Sequence, residues 1–157
     1  MIKVLDICKK VLSRLHAMDY EINGGNSSEQ LIFPNKRQAQ GNIKRISEQE
    51  LRTLFIEVFK DINSKLFYSI ETPTENRYIF GPSFKEIACD KNGRSALIDM
   101  CVFQREGKNY KRLLNIEFKY KNTVTENIAK DILKLICEEQ DGAFILKRNW
   151  FVKNVYQ

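Results

Sequence analysis

Asp99 stands in the run Ala96-Leu97-Ile98-Asp99-Met100-Cys101-Val102-Phe103, and Glu117 and Lys119 stand in Leu113-Leu114-Asn115-Ile116-Glu117-Phe118-Lys119-Tyr120. Both runs read as strands apolar enough to be buried on both faces. An ionised side chain in such a place is costly unless something pairs with it. Alternation puts Glu117 and Lys119 on one face of their strand, and Asp99 and Cys101 on one face of theirs. Two carboxylates and an ammonium facing one spot make a small site for a hard cation. Mg2+ suits such a site, because it keeps several waters and takes one or two protein carboxylates. The chemistry implied is phosphodiester hydrolysis: a bound divalent cation acidifies water and polarises a phosphoryl oxygen, while a nearby ammonium steadies the developing charge.

Asp99 and Glu117 are therefore the expected metal ligands and Lys119 the expected catalytic lysine. The backbone carbonyl of Phe118 is a further candidate ligand, because irregularity at a strand end can turn it toward the ion. Mn2+ is expected to substitute for Mg2+. Without a metal the same three side chains could form a buried ion-pair network. Two carboxylates and one lysine, however, leave a net charge of −1 uncompensated in the interior, which is unfavourable.

Several elements must position these residues. Residues 2–19 form an expected amphipathic helix on Leu5, Cys8, Leu12 and Leu15, with Val4, Val11 and Met18 widening the stripe. His16, the only histidine, lies at the edge of that stripe and reads as a partly packed surface imidazole. Residues 21–45 turn polar around Gly24-Gly25-Asn26-Ser27-Ser28 and read as a connector, made positive by Lys36, Arg37, Lys44 and Arg45. Ser47-Glu48-Gln49-Glu50 fits a capping box, and Ile46 and Leu51 fit the hydrophobic staple beside it. Leu51, Leu54, Phe55, Val58, Phe59 and Ile62 then give the buried face of a second helix, with Glu48 inside the stripe and Glu50 at its margin.

Strands are expected at 66–71 and 77–80 around a turn at Thr72-Pro73-Thr74, and a strand or short helix at 84–88. Residues 95–104 and 110–120 flank the short Gly-containing loop Arg105-Glu106-Gly107-Lys108-Asn109, which predicts an antiparallel hairpin. A third helix covers about 125–139, with Ile128, Ile132, Leu135 and Ile136 as its apolar face, Thr125 as its cap, and Lys130 and Lys134 off that face. Ala143 to Leu146 reads as another strand, so strand, helix and strand make a crossover unit whose strands should be parallel. The tail from Trp150 to Tyr156 could add an edge strand. The expected class is α/β or α+β, with a central mixed sheet flanked by helices, divided as 1–45 (first helix and polar linker) and 46–157 (the main domain).

An Asp on one strand, a Glu-x-Lys on the next, a Glu on a preceding helix and an amphipathic helix after them resemble the PD-(D/E)XK nuclease superfamily, over roughly residues 46–147. The resemblance implies a restriction-endonuclease-like core. Asp99 and Glu117 would hold the metal, Lys119 would be the catalytic lysine, and Glu48 or Glu50 would supply the helix acid. The proline that often precedes the aspartate is replaced by Ile98. Glu50 suits capping better, Glu48 suits the helical angle better, and Glu71 is a further acid whose strand could run near the site. The partner expected is nucleic acid, DNA in the first instance, and a two-fold dimer would suit a cut on both strands. The alternative is a module of the same fold that binds nucleic acid or assembles without turnover.

The bulk numbers fit these expectations without producing them. At 157 residues, 43% hydrophobic and 29% charged, the chain has the composition of a globular protein. A net charge of +6 favours an anionic partner without identifying one. No run of about 18 apolar residues offers a membrane span. Lys3 and Asp6 interrupt what would be a signal peptide's apolar stretch, so a cytoplasmic protein is expected. Cys8, Cys89, Cys101 and Cys137 form no C-x-x-C pair and read as reduced thiols, mostly packed inside.

Overall fold

Stripes of 3.6-residue period become helices, the apolar runs become strands, and the chain divides into two units, Met1–Ser64 and Lys65–Gln157. The computed structural model describes residues 2–157 apart from 23, 26, 39, 40, 46, 121–123, 148–150, 156 and 157, with backbone alone for 36–38, 42–44, 84 and 151–155. The expected staple residue Ile46, the tail residues Trp150 and Tyr156, and the side chains of Lys36, Arg37 and Lys44 thus lie outside the described residues.

The first unit holds helices α1 (Val4–Ala17) and α2 (Glu48–Ile62) and a short antiparallel pair, β1 (Asn35–Gln38) and β2 (Gly41–Lys44). The capping box forms as the sequence predicts: the Ser47 hydroxyl accepts from the Gln49 amide, and the Glu50 carboxylate accepts from the Ser47 amide at 2.8 Å and from its hydroxyl. Leu51, Leu54, Phe55, Val58 and Phe59 are buried, whereas Ile62, on the last turn, stays 40% exposed. On α1 the buried stripe is Val4, Ile7, Cys8, Val11 and Leu15, and Leu5 faces out. His16 is exposed.

Two expectations change in this unit. The stretch 21–45 is not a bare connector. It carries the β1–β2 pair and the fully buried Phe33, whose amide donates to the Asp19 carbonyl and whose carbonyl accepts from the Glu21 amide, both at 2.9 Å. Arg14 of α1 ties this stretch down, reaching Glu29 at 2.8 Å and Glu57 of α2 at 2.7 Å. The second change is the boundary. Because α2 packs with α1, the division falls after Ser64 and not before residue 46.

The second unit is a six-stranded mixed sheet in the order β4-β3-β5-β6-β7-β8, with α3 (Thr125–Cys137) packed on it. Its strands are β3 (Phe67–Phe80), β4 (Ile87–Cys89, after a 3-10 turn at Phe84–Glu86), β5 (Arg94–Glu106), β6 (Asn109–Tyr120), β7 (Asp141–Lys147) and β8 (Phe151–Val155). The chain as a whole is α+β. The predicted turn at 72–74 is instead an irregularity within one long strand: β3 runs on through it, with a register shift between Pro73 and Arg77 and Glu71 at φ 48°. The hairpin of β5 and β6 is antiparallel as expected and closes tightly, Glu106 opposite Asn109, with Gly107 at φ 63° in a left-handed conformation that glycine adopts at no steric cost. β6 and β7 pair in parallel, joined through α3, which is the predicted crossover. β8 adds to the outer edge of β7.

Ile98, Met100, Val102, Ile116 and Phe118 are fully buried, on the sheet face opposite Asp99 and Glu117. α3 covers the other face, and Gly142 makes room for it: a Cβ there would stand 3.0 Å from the Leu135 Cβ. Among the described residues no helix is long and apolar enough to cross a membrane. Cys8 and Cys101 are buried, Cys137 is half-buried and Cys89 is exposed, all as free thiols.

Candidate active site

The β5–β6 ladder ends at the pair Met100 and Ile116. One step on, Asp99 and Glu117 face each other across the hairpin and share the side that α3 covers. The last backbone bond of the ladder is replaced there by a side chain: the Phe118 amide donates to Asp99 Oδ2 at 2.8 Å. In an extended strand the N–H and C=O of one residue point to the same edge, so the Phe118 carbonyl, the expected extra ligand, lies on the β5 side of its strand. Asp99 is half-buried, Lys119 has 18% of its side chain exposed, and Glu117 is buried at 1%.

Two residues that sequence reasoning did not choose complete the cluster. Asp131 and Lys134 lie on α3, and both are buried. The Lys119 ammonium pairs with Asp131 Oδ2 at 2.8 Å. The Lys134 ammonium lies 2.6 Å from Glu117 Oε1, 3.0 Å from Asp131 Oδ1 and 2.8 Å from the Leu97 carbonyl of β5. Lys134, expected off the buried face, is 7% exposed, and Ile136, expected inside, is 49% exposed. The buried positions 131, 134, 135 and 138 follow the i, i+3, i+4, i+7 spacing of a core face, but three of the four are charged. The available signal was therefore a charged stripe at core spacing, on the helix that must close over a charged strand face.

Glu117 is strongly perturbed by its surroundings. Burial, opposed by Lys134 but reinforced by Asp131 and Asp99, pushes its carboxyl up to about 9. Lys134 is raised as well: burial would lower it, but the neighbouring carboxylates Glu117 and Asp131 outweigh that. With Glu117 protonated, Asp99 and Asp131 balance Lys119 and Lys134; with it ionised, three carboxylates face two ammonium groups, a sum of −1. Glu117 Oε1 and Asp131 Oδ2 are buried, and each is met by an ammonium in an ion pair. Carboxylate oxygens beside a backbone carbonyl are the donor set a hard cation uses, so these residues fit Mg2+ or Mn2+ in chemistry. Among the described residues, however, no three His, Cys, Asp or Glu side chains converge as ligands of one ion.

Glu48 and Glu50 belong to α2 in the first unit, and the Glu50 carboxylate closes the capping box. Glu71 is exposed on β3. Cys101 shares the face of Asp99 and is fully buried, its thiol donating to Asn115 Oδ1 at 3.2 Å, which fits packing and not chemistry.

A second buried carboxylate on the same face has a different task. Glu138, just past α3, accepts from the Glu75 amide at 2.9 Å, the Asn76 amide at 3.1 Å and the Tyr78 hydroxyl at 2.8 Å, and pairs with Arg112 at 3.4 Å. Its oxygens are saturated by protein donors, so it fastens α3 to the irregular stretch of β3. Comparison with protein-family models, with curated proteins and with solved structures finds no match for this chain.

Proposed function

We propose that the chain is a Mg2+-dependent nuclease that hydrolyses phosphodiester bonds of DNA, with a PD-(D/E)XK-type site. The observation that carries the reading is the meeting of Asp99, Glu117 and Lys119 on one covered face where β5 and β6 part. In this reading Asp99, Glu117 and the Phe118 carbonyl hold the cation, and Asp131 pairs with Lys119 beside it. A divalent ion bound there supplies an acidified water and charge compensation on the phosphoryl group. Asp99 contributes through position: its Phe118 contact fixes the carboxylate at the opening of the hairpin. Lys119, paired with Asp131, presents an ammonium that orients the attacking water and offsets the negative charge gathering on the phosphoryl oxygens.

A second reading has its own support. The Lys134 and Asp131 ion pairs make the cluster nearly self-sufficient, as expected of a nucleic-acid-binding or assembly module of this fold without turnover. The deciding experiment is cleavage of plasmid and linear DNA with and without Mg2+ or Mn2+. The nuclease reading expects metal-dependent cleavage that falls at least about 100-fold in Lys119→Ala and Asp99→Ala proteins with unchanged circular dichroism. Full activity in a clean Lys119→Ala preparation would overturn the mechanism. DNA binding without cleavage in the unaltered protein would favour the second reading.

A further inference from the structure

The Lys134 ammonium is not an ordinary salt-bridge partner. It has three oxygens around it from three separate elements: Glu117 Oε1 of β6 at 2.6 Å, the Leu97 carbonyl of β5 at 2.8 Å, and Asp131 Oδ1 of α3 at 3.0 Å. Two carboxylates and a backbone carbonyl grouped about one buried positive charge form the ligand set of a hard divalent ion, with an amine nitrogen at the centre. The three oxygens match the three N–H donors of the ammonium.

The geometry points to Lys134 as a tethered cation that holds Glu117, the carboxylate it would share with the divalent ion, so that α3 closes the site in a resting state and the metal must displace the ammonium from Glu117 to bind. This rests on the proposed metal-dependent reading and adds its regulation. The charges agree. With all of them ionised, Asp99, Glu117 and Asp131 against Lys119 alone sum to −2, which one divalent ion neutralises. Lys134 can leave without unwinding α3, because its charge sits at the end of a flexible four-carbon stem. Glu117 then exchanges the ammonium, together with the proton it holds in the metal-free protein, for a metal ion, and the proton passes to solvent.

A purely structural salt bridge predicts the opposite response to removal of the lysine: weaker folding and no new affinity. The test is calorimetric titration of the full chain with MnCl2, for the unaltered protein and for Lys134→Met, with thermal melting recorded at each metal concentration. The expected result is one Mn2+ per chain bound at least tenfold more tightly by the variant, and a larger metal-dependent rise in its melting temperature. In Lys134→Met/Glu117→Gln the gain disappears. Equal Mn2+ affinity in the unaltered protein and Lys134→Met overturns this inference while leaving a metal-binding nuclease intact. Absence of binding in both overturns it together with the metal-dependent reading. A gain that survives Glu117→Gln also overturns it, because the ion is then held elsewhere. Should Lys134→Met not fold even with Mn2+ present, Lys134→Gln, which keeps most of the length and polarity, is titrated in its place against the same outcomes.

Discussion

At the scale of single residues, Glu117 governs how the metal-free protein responds to pH. Its ordinary carboxyl value is 4.5, and in the fold burial raises it to about 9. Between those values the folded protein holds a proton that the unfolded chain has already released. Stability therefore falls as pH climbs from about 4.5 toward about 9, and the loss levels off above that, since both states are then ionised. Glu117→Gln keeps a neutral, hydrogen-bonding side chain of the same shape, so its stability should be flatter across that window, and the variant should match or exceed the unaltered protein at pH 8. Urea unfolding midpoints at pH 5, 6.5, 8 and 9 check this; parallel curves for the two proteins would rule out a titrating Glu117. The residue scale is also where the sequence was most informative. Asp99, Glu117 and Lys119 could be chosen because period-two alternation, applied to two apolar runs, leaves little freedom in where a side chain points. Asp131 and Lys134 escaped because they sit among isoleucines and leucines that outweigh them in any hydrophobic pattern.

At the scale of elements, the error over α3 has a physical cause. A helix is expected to bury its apolar stripe, but the sheet face awaiting α3 carries Asp99, Glu117, Lys119, Asn115 and Arg112, and a face of charges is matched by charges. The helix turns Asp131, Lys134 and Glu138 inward and leaves Ile136 outside. Had the hairpin's polar face been carried forward as a constraint on the next element, the orientation could have been anticipated. The capping box, the hairpin and the parallel crossover were legible because each rests on local rules of spacing and turn length. The turn at 72–74 and the connector at 21–45 were not, because what continues β3 and buries Phe33 is pairing with distant residues. One prediction belongs here. Glu138→Ala strips acceptors from the Glu75 and Asn76 amides, the Tyr78 hydroxyl and Arg112 together, so it should destabilise the fold by about 3–5 kcal/mol. A loss under about 1 kcal/mol by chemical denaturation would mean that those donors find water or other partners.

At the scale of the whole molecule, the net charge of +6 bears on the proposed partner. Affinity for duplex DNA, read by fluorescence anisotropy with the metal omitted, should drop about tenfold for every two phosphates contacted when salt rises from about 50 to about 200 mM. Binding that ignores salt, or none at low salt, would remove DNA as the partner. Connectivity has a separate consequence. Asp99, Glu117 and Lys119 sit on two strands joined by a tight turn at Gly107, a local closure that loses little chain entropy. Asp131 and Lys134 arrive only when the chain has doubled back to lay β7 beside β6, a longer and slower closure. The site is thus assembled in two instalments. Until the second arrives, its three acidic and basic groups remain solvated by water on an open hairpin, and their dehydration waits for α3 to close over them.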